Sequence, residues 1–544
     1  MQANAAVSVT PDKAFYRPEE TATFLITATG GARGEATITH LAETVAVLDV
    51  VIEDGSAVLT WTPPPEVPRG YGLTLRVFDG DRIIASISTA FDVLEHWAQA
   101  PRYGFLSEFG PGRDDAGATM DWVVRYHING LQFYDWQYRH EALLPPAEDY
   151  TDLLGRRLAM GTVEALIEAA HARNIAAMPY TAIYGASPPF YREHPEWALF
   201  QSTGQPFEFG DGLLYIMDPT PGSPWNQHLL REFSRVLEST DFDGIHIDQY
   251  GAPQVARNAA GERVDLAVVF PAFINQTAAL VQERRGESGA VLFNAVRNWP
   301  TDTVAAADQV AVYIEVWEPY RDFMDLHRLI AHAQQQGGNK PVILAAYIHP
   351  DHIHNVRLAN AIIFASGGFH LELGEPQAML ADPYFPRFGV MSEAVQGVMR
   401  QYYDFLVRYE EVLSASTVDA TGERAIALSI AGIETRSLRA RDRVAVIVRQ
   451  GQDREAFSLV NLVGIDSGNW ATPLTEGPDS LSSLAVQIHT SRPVTRAWWA
   501  SPDRGDLSAQ SLRVSATKVG DGWNVSFSLP YLDYWSMIVL EYQS

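Results

Sequence analysis

The chain has 544 residues with 47% hydrophobic against 19% charged side chains, too long for a single small binding module and too apolar for a disordered segment. Its 40 basic and 66 acidic residues leave a net charge of −26, which repels phosphate backbones and anionic bilayers and sets nucleic acid and membrane aside as partners. The absence of cysteine excludes disulfides, zinc thiolates, iron–sulfur clusters and cysteine nucleophiles.

In residues 1–98, the short runs ATFLIT, EATITHL, SAVLTWT, YGLTLRVFD and RIIASIS alternate apolar and polar positions between GG, DG, PPP and PRG turns. That pattern predicts an immunoglobulin-like β-sandwich. The opening MQANAAVSVTPDKAFYRPEE shows neither a basic start followed by an apolar stretch nor a long apolar run. The expected location is therefore cytoplasmic for a chain complete as written, and extracellular if a signal peptide has been removed.

Residues 99–414 change character. Strand-like apolar runs alternate with helical patterns such as GTVEALIEAAHARN and NQHLLREFSRVLEST, as repeated β–α units do. The strand candidates, in order, are YGFLSEF, INGLQFYDW, IAAMPYTAIYG, DGIHIDQYG, AVLFNAV, VAVYIEVW, PVILAAYI and AIIFASGGFHL. Eight such units predict a (β/α)8 TIM barrel, whose strands point their C-terminal ends into the site. No GxGxxG fingerprint or P-loop follows an early strand to favour a doubly wound sheet. The loop from Ala186 to about Pro224 is long and rich in proline, glycine and aromatics, a candidate wall of a substrate cleft. After a helical stretch from about Met391 to Leu413, residues 415–544 return to short alternating runs (RAIALSI, RVAVIVRQ, WNVSFSLP, WSMIVLEY), which predict a C-terminal antiparallel β-sandwich.

Two carboxylates stand out at the strand tips. In DGIHIDQYG, period-two alternation puts His246 and Asp248 on one side of the fourth strand, with Asp248 at its end. In VAVYIEVW the same alternation sets Glu315 at the tip of the sixth. Glycosidic cleavage needs two carboxyl groups flanking the bond, and the aromatic residues Tyr134, Trp136, Tyr180, Tyr184, Trp317 and Tyr347 at neighbouring tips suit the apolar faces of pyranose rings. Asp135, Asp218, Glu108 and Glu372 also lie near proposed tips, and pattern by itself does not choose the pair among them.

The segments HINGLQFYDWQYRH, FDGIHIDQYG, LFNAV, YIEVWE, KPVILAAYI and AIIFASGGFHLELGE, in this order and spacing, resemble glycoside hydrolase family 66, the family of dextranases and cycloisomaltooligosaccharide glucanotransferases. The resemblance runs from about Arg102 to Leu413, and the flanking β-rich regions match the family's arrangement. It implies that Asp248 is the nucleophile and Glu315 the acid/base of a retaining reaction on α-1,6-linked glucan, with a glucosyl-aspartate intermediate. The chain lacks a domain-sized insertion within the barrel, so it resembles the dextranase type more than the cyclising type, and an endo-acting hydrolase of dextran or isomaltooligosaccharides is expected. A transglycosylase on the same scaffold and a non-catalytic glucan-binding protein are the alternatives.

Among weaker signals, Asn294, His370, Asp135 and Glu372 are candidate sugar contacts, as is His246, which also suits a packed barrel position. His349, Asp351, His352 and His354 after the seventh strand form a possible metal cluster, although loop histidines more often cap helices or touch substrate. No metal and no other cofactor is expected. The sequence leaves the oligomeric state open.

Overall fold

The computed structural model describes residues 7–435 and 443–543; the first residues of the N-terminal region and 436–442 of the last region lie outside the described residues. At the N-terminal end, one antiparallel sheet holds Val7–Pro11, Ala22–Ala28 and Ser56–Trp61. The other runs in the order Glu43–Val51, Arg33–His40, Arg69–Asp79, Arg82–Val93. The inward positions of both, Phe24, Ile26, Ile38, Leu73 and Phe91 among them, share one core, as the alternation requires.

The central sheet has eight parallel strands in chain order: Tyr103–Leu106, Gly130–Phe133, Ala176–Ala182, Gly244–Asp248, Ala290–Val296, Val312–Glu315, Val342–Ala345 and Gly368–His370. The Phe105 N–H closes the ring by donating to the Leu373 carbonyl at 3.1 Å. Two glycines of the matched segments are explained by close approach. A Cβ on Gly244 would lie 1.8 Å from the Ala290 carbonyl oxygen, and one on Gly374 1.8 Å from that of Phe105. Around the strands, helices present apolar stripes inward. In Pro224–Ser239 the Ser223 hydroxyl accepts from the Asn226 N–H, Pro224 takes the first turn, and Leu229, Phe233, Val236 and Leu237 are buried, a capped amphipathic helix.

The eighth unit differs from expectation. The AIIFA half of AIIFASGGFHL ends the helix Ile353–Ala365, and only Gly368–His370 is strand. From Leu358 to Ala365 every helical residue is buried, and a buried helix shows no amphipathic period to distinguish it from a strand. Gly367, at φ 72°, turns the chain between them.

At the C-terminal end, sheets of six and four strands enclose Leu459, Val486, Phe527 and Ile538. Of the run RAIALSI only Leu428–Ile430 is strand, the residues before it being helical turns. Both flanking parts are anchored to the barrel, the C-terminal one through Arg449, whose Nη1 donates to Gln334 Oε1 at 2.9 Å and to the Ser366 carbonyl at 3.1 Å. Arg102, 1% exposed, pairs with Asp92 of the N-terminal sandwich at 2.8 Å and with Glu410 at 3.5 Å. Burial, together with the nearby Asp92 carboxylate, holds the Glu410 carboxyl well above its ordinary range.

Candidate active site

The tips of strands four, five and six converge on one opening. Asp248 ends the fourth strand, Asn294 lies in the fifth, and Glu315 ends the sixth. The Asn294 Nδ2 donates to Asp248 Oδ1 at 2.8 Å and to Glu315 Oε2 at 3.1 Å. Because both oxygens contact one nitrogen, they lie less than about 6 Å apart. Pairs in which one acid attacks directly have carboxyls roughly 5–5.5 Å apart, and pairs that leave room for water roughly 6.5–9.5 Å.

Each acid has a further donor. The Tyr180 hydroxyl donates to Asp248 Oδ2 at 2.7 Å, and that of Tyr347 to Glu315 Oε1 at 2.8 Å. Glu315 is 8% exposed, while Asp248 is half-buried. Burial pushes the Asp248 carboxyl up to about 7, the nearby Glu315 charge adds to this, and the Tyr180 and Asn294 donors oppose it. Burial also raises Glu315, against the Tyr347 and Asn294 donors and the nearby Trp317 indole. The Trp317 Nε1 is itself buried without a hydrogen-bond partner. Two carboxyls raised together and sharing one amide titrate as a unit, with pKa values that belong to the pair rather than to either acid. A site with one ionised and one protonated carboxyl is equipped for nucleophilic attack and acid catalysis at once.

Beside the pair lies a cavity of about 320 Å³ lined by Tyr134, Asp135, Tyr180, Phe209, Tyr250 and Tyr384, among others. Phe209 and the neighbouring Leu213 belong to the long loop after the third strand. Asp135 lines this cavity with its backbone at φ 54°. Its carbonyl accepts from Arg156 Nη2 at 2.9 Å, its carboxylate lies 3.6 Å from the same group, and burial pushes the carboxyl up to about 7. A left-handed aspartate is strained, and such strain concentrates at functional sites.

Most of the other expected contacts are engaged elsewhere. Trp136 is fully buried, packs on Phe242 and donates its indole N–H to the Tyr180 carbonyl. Tyr184 is buried, accepts from the Tyr250 N–H and donates to the Ala252 carbonyl. His246 lies within the barrel between Tyr103 and Tyr180, where burial lowers its pKa to about 3. His370 and Glu372 are buried and tied together through Asn360, with Tyr403 donating to Glu372. Trp317 and Tyr347 stay half-buried beside Glu315. Asp218 accepts from the Thr220 N–H in its own turn, and the Glu108 N–H donates to Glu375. His354 hydrogen-bonds the Tyr534 hydroxyl, and His349 pairs with Asp351. Among the described residues, no group of three or more His, Asp or Glu is placed to hold a metal ion. Sequence reasoning missed Arg156, Phe209, Tyr250 and Tyr384; of these, only Phe209 carried a signal, by its place in the long loop.

A family model described as glycosyl hydrolase family 66 matches residues 11–539. Two cycloisomaltooligosaccharide glucanotransferases of Niallia circulans are 25% and 24% identical to the chain, covering 99% and 97% of it and 73% and 71% of their own length. The first alignment runs over 713 residues, more than the 544 of this chain, so that relative has segments without a counterpart here. A cycloisomaltooligosaccharide glucanotransferase of a Paenibacillus species, solved with cycloisomaltoheptaose, superposes with a TM-score of 0.91 at 22% identity, over 98% of this chain and 99% of that one. An Anoxybacillus alpha-amylase gives 0.51 at 11% identity, over 82% and 99%. These likenesses establish the fold, a TIM barrel with flanking β-sandwiches.

Proposed function

The chain belongs to glycosyl hydrolase family 66, and on that premise we propose that it opens α-1,6-glucosidic linkages by a retaining route, with Asp248 as nucleophile and Glu315 as acid/base. The observation that carries this reading is the Asn294 amide shared between the two carboxylates, which fits direct attack. In the first step Asp248 attacks the anomeric carbon, the bond to the leaving oxygen breaks, and Glu315 delivers its proton to that oxygen. The resulting ester neutralises Asp248 and removes a charge from beside Glu315, which eases ionisation of Glu315. Ionised Glu315 then takes the proton of an incoming hydroxyl as it attacks the anomeric carbon and frees Asp248. The aromatic cavity next to the pair suits a glucan chain, whose sugar rings offer apolar faces.

The incoming hydroxyl belongs to a sugar or to water. Both curated relatives bear the name glucanotransferase, which favours transfer to sugar over the hydrolysis expected from sequence. Hydrolysis rests only on the segments of the Niallia relative that this chain lacks, a difference that does not extend to the Paenibacillus glucanotransferase, matched over 99% of its chain. Incubation with dextran, beside an α-1,4-glucan control, separates the readings when reducing ends and product masses are followed. Products one water lighter, or redistributed chain lengths with constant reducing ends, are expected from transfer; growing reducing ends indicate hydrolysis. Asp248→Ala and Glu315→Ala should each lose activity by orders of magnitude with the fold intact. Failure to convert both dextran and short isomaltooligosaccharides would overturn the proposal, and binding without turnover would make the chain a glucan-binding protein.

A further inference from the structure

The loop of residues 316–322 joins Glu315 to the helix Phe323–Gln336 and carries Trp317, whose ring lies 6.0 Å from that of Tyr347, the donor to Glu315. Within the loop the Tyr320 N–H donates to the Trp317 carbonyl at 3.0 Å, and the loop is also held from outside. Residues 462–480, which connect two strands of the C-terminal sandwich, reach across to it. Trp470 donates its backbone N–H to the Arg321 carbonyl at 3.0 Å and its indole N–H to the Tyr320 carbonyl at 2.9 Å. The Phe323 N–H donates in return to the Gly468 carbonyl at 2.9 Å, and the Arg321 guanidinium lies 5.1 Å over the indole. The far side of this segment is pinned by Asn355. Its Nδ2 donates to the Trp470 and Thr472 carbonyls at 3.0 and 2.7 Å, and its Oδ1 accepts from the Leu474 N–H at 2.9 Å. Trp470 and Asn355 are each 1% exposed. With its indole N–H engaged and its surface buried, Trp470 has nothing to offer a sugar directly.

We infer that Trp470 is a positioning residue for the acid/base: reaching in from the C-terminal sandwich, it fixes the 316–322 loop and thereby holds Trp317 beside Glu315. This rests on the acid/base role proposed for Glu315. The C-terminal sandwich then contributes to chemistry without touching the substrate, because small displacements of a catalytic group are costly in rate. Its effect is specific to steps that need proton delivery. Cleavage of a glucan linkage, whose leaving alkoxide is strongly basic, depends on Glu315, whereas cleavage of an aryl glycoside with a nitrophenolate leaving group depends on it far less.

The test compares kcat/KM on isomaltooligosaccharides and on p-nitrophenyl α-isomaltoside for the wild type, Glu315→Gln, Trp470→Phe and Asn355→Ala. Trp470→Phe removes the indole N–H while keeping most of the buried ring, and Asn355→Ala frees the same segment from its other end. Both should lose roughly tenfold or more on the glucan and less than about threefold on the aryl glycoside, the selectivity of a general-acid defect. Equal losses on both substrates, or no loss on either, with Glu315→Gln still selective, would overturn this inference alone. A wild type inert on both substrates, or a Glu315→Gln variant without selectivity, would overturn the proposed function and this inference with it.

Discussion

Asn294→Ala removes the one group that touches both acids. Its Nδ2 contacts, 2.8 Å to Asp248 and 3.1 Å to Glu315, are charge-assisted when the accepting carboxylate is ionised, and each is worth about 1.5–3 kcal/mol. In the reactive form proposed above Asp248 is ionised and Glu315 protonated, so about one such bond is lost. That corresponds to a fall of roughly ten- to a hundredfold in kcat/KM. Stability should change far less, because Asn294 Oδ1 is buried without a partner and the substitution also removes that unsatisfied acceptor. The pH profile carries the sharper prediction. The amide favours the ionised forms and lowers both pKa values, so its removal raises them. The acid limb of kcat/KM, set by loss of the first proton from the pair, should move to higher pH. The assay is kcat/KM on isomaltooligosaccharides across the limb, with thermal unfolding in parallel. An unmoved or lowered acid limb would refute the shared-amide reasoning, as would a stability loss large enough to account for the fall in activity.

Asp248→Asn should stabilise the protein increasingly as pH rises. The folded carboxyl sits at about 7 against an ordinary 3.8, so the native state holds the proton more tightly, and wild-type stability declines as pH rises from the unfolded value through the folded one. The Tm gain of the variant should therefore be larger at about pH 8 than at about pH 5, and a gain independent of pH would contradict the raised pKa. Arg102→Leu leaves the buried Asp92 carboxylate without its cation and should cost about 3–5 kcal/mol; denaturant unfolding within about 1 kcal/mol of wild type would show that the pair is not the anchor of the N-terminal sandwich. Trp136→Phe, which removes the N–H donated to the Tyr180 carbonyl, should lower stability by about 1 kcal/mol and leave the chain-length dependence of KM unchanged. A KM that rises with longer oligosaccharides in that variant would restore Trp136 as a sugar platform.

The contrast between Trp136 and Asp248 shows what alternation can and cannot read. Period two holds only while the backbone stays extended. The fourth strand runs unbroken to Asp248 and the sixth to Glu315, so counting back along each strand puts both carboxyls at the barrel mouth. The second strand ends at Phe133, and Asp135 at φ 54° reverses the chain, so that Trp136 turns into the core instead of following Tyr134 toward the opening. The eighth strand was obscured for another reason: a helix buried on every side and a strand buried on both faces present the same apolar run. Pairing between elements is a further step removed from sequence. Alternation places Asn294 near a strand end, but nothing in its neighbours specifies that one amide would lie between two acids from adjoining strands. That placement depends on the register of three parallel strands, in which Asn294 stands opposite Tyr313 and Val296 opposite Glu315, while Phe293 lies opposite Ile247. Asn294 thus comes just after the residue that pairs beside Asp248 and two before the one that pairs with Glu315, which is where a short amide can reach both carboxylates.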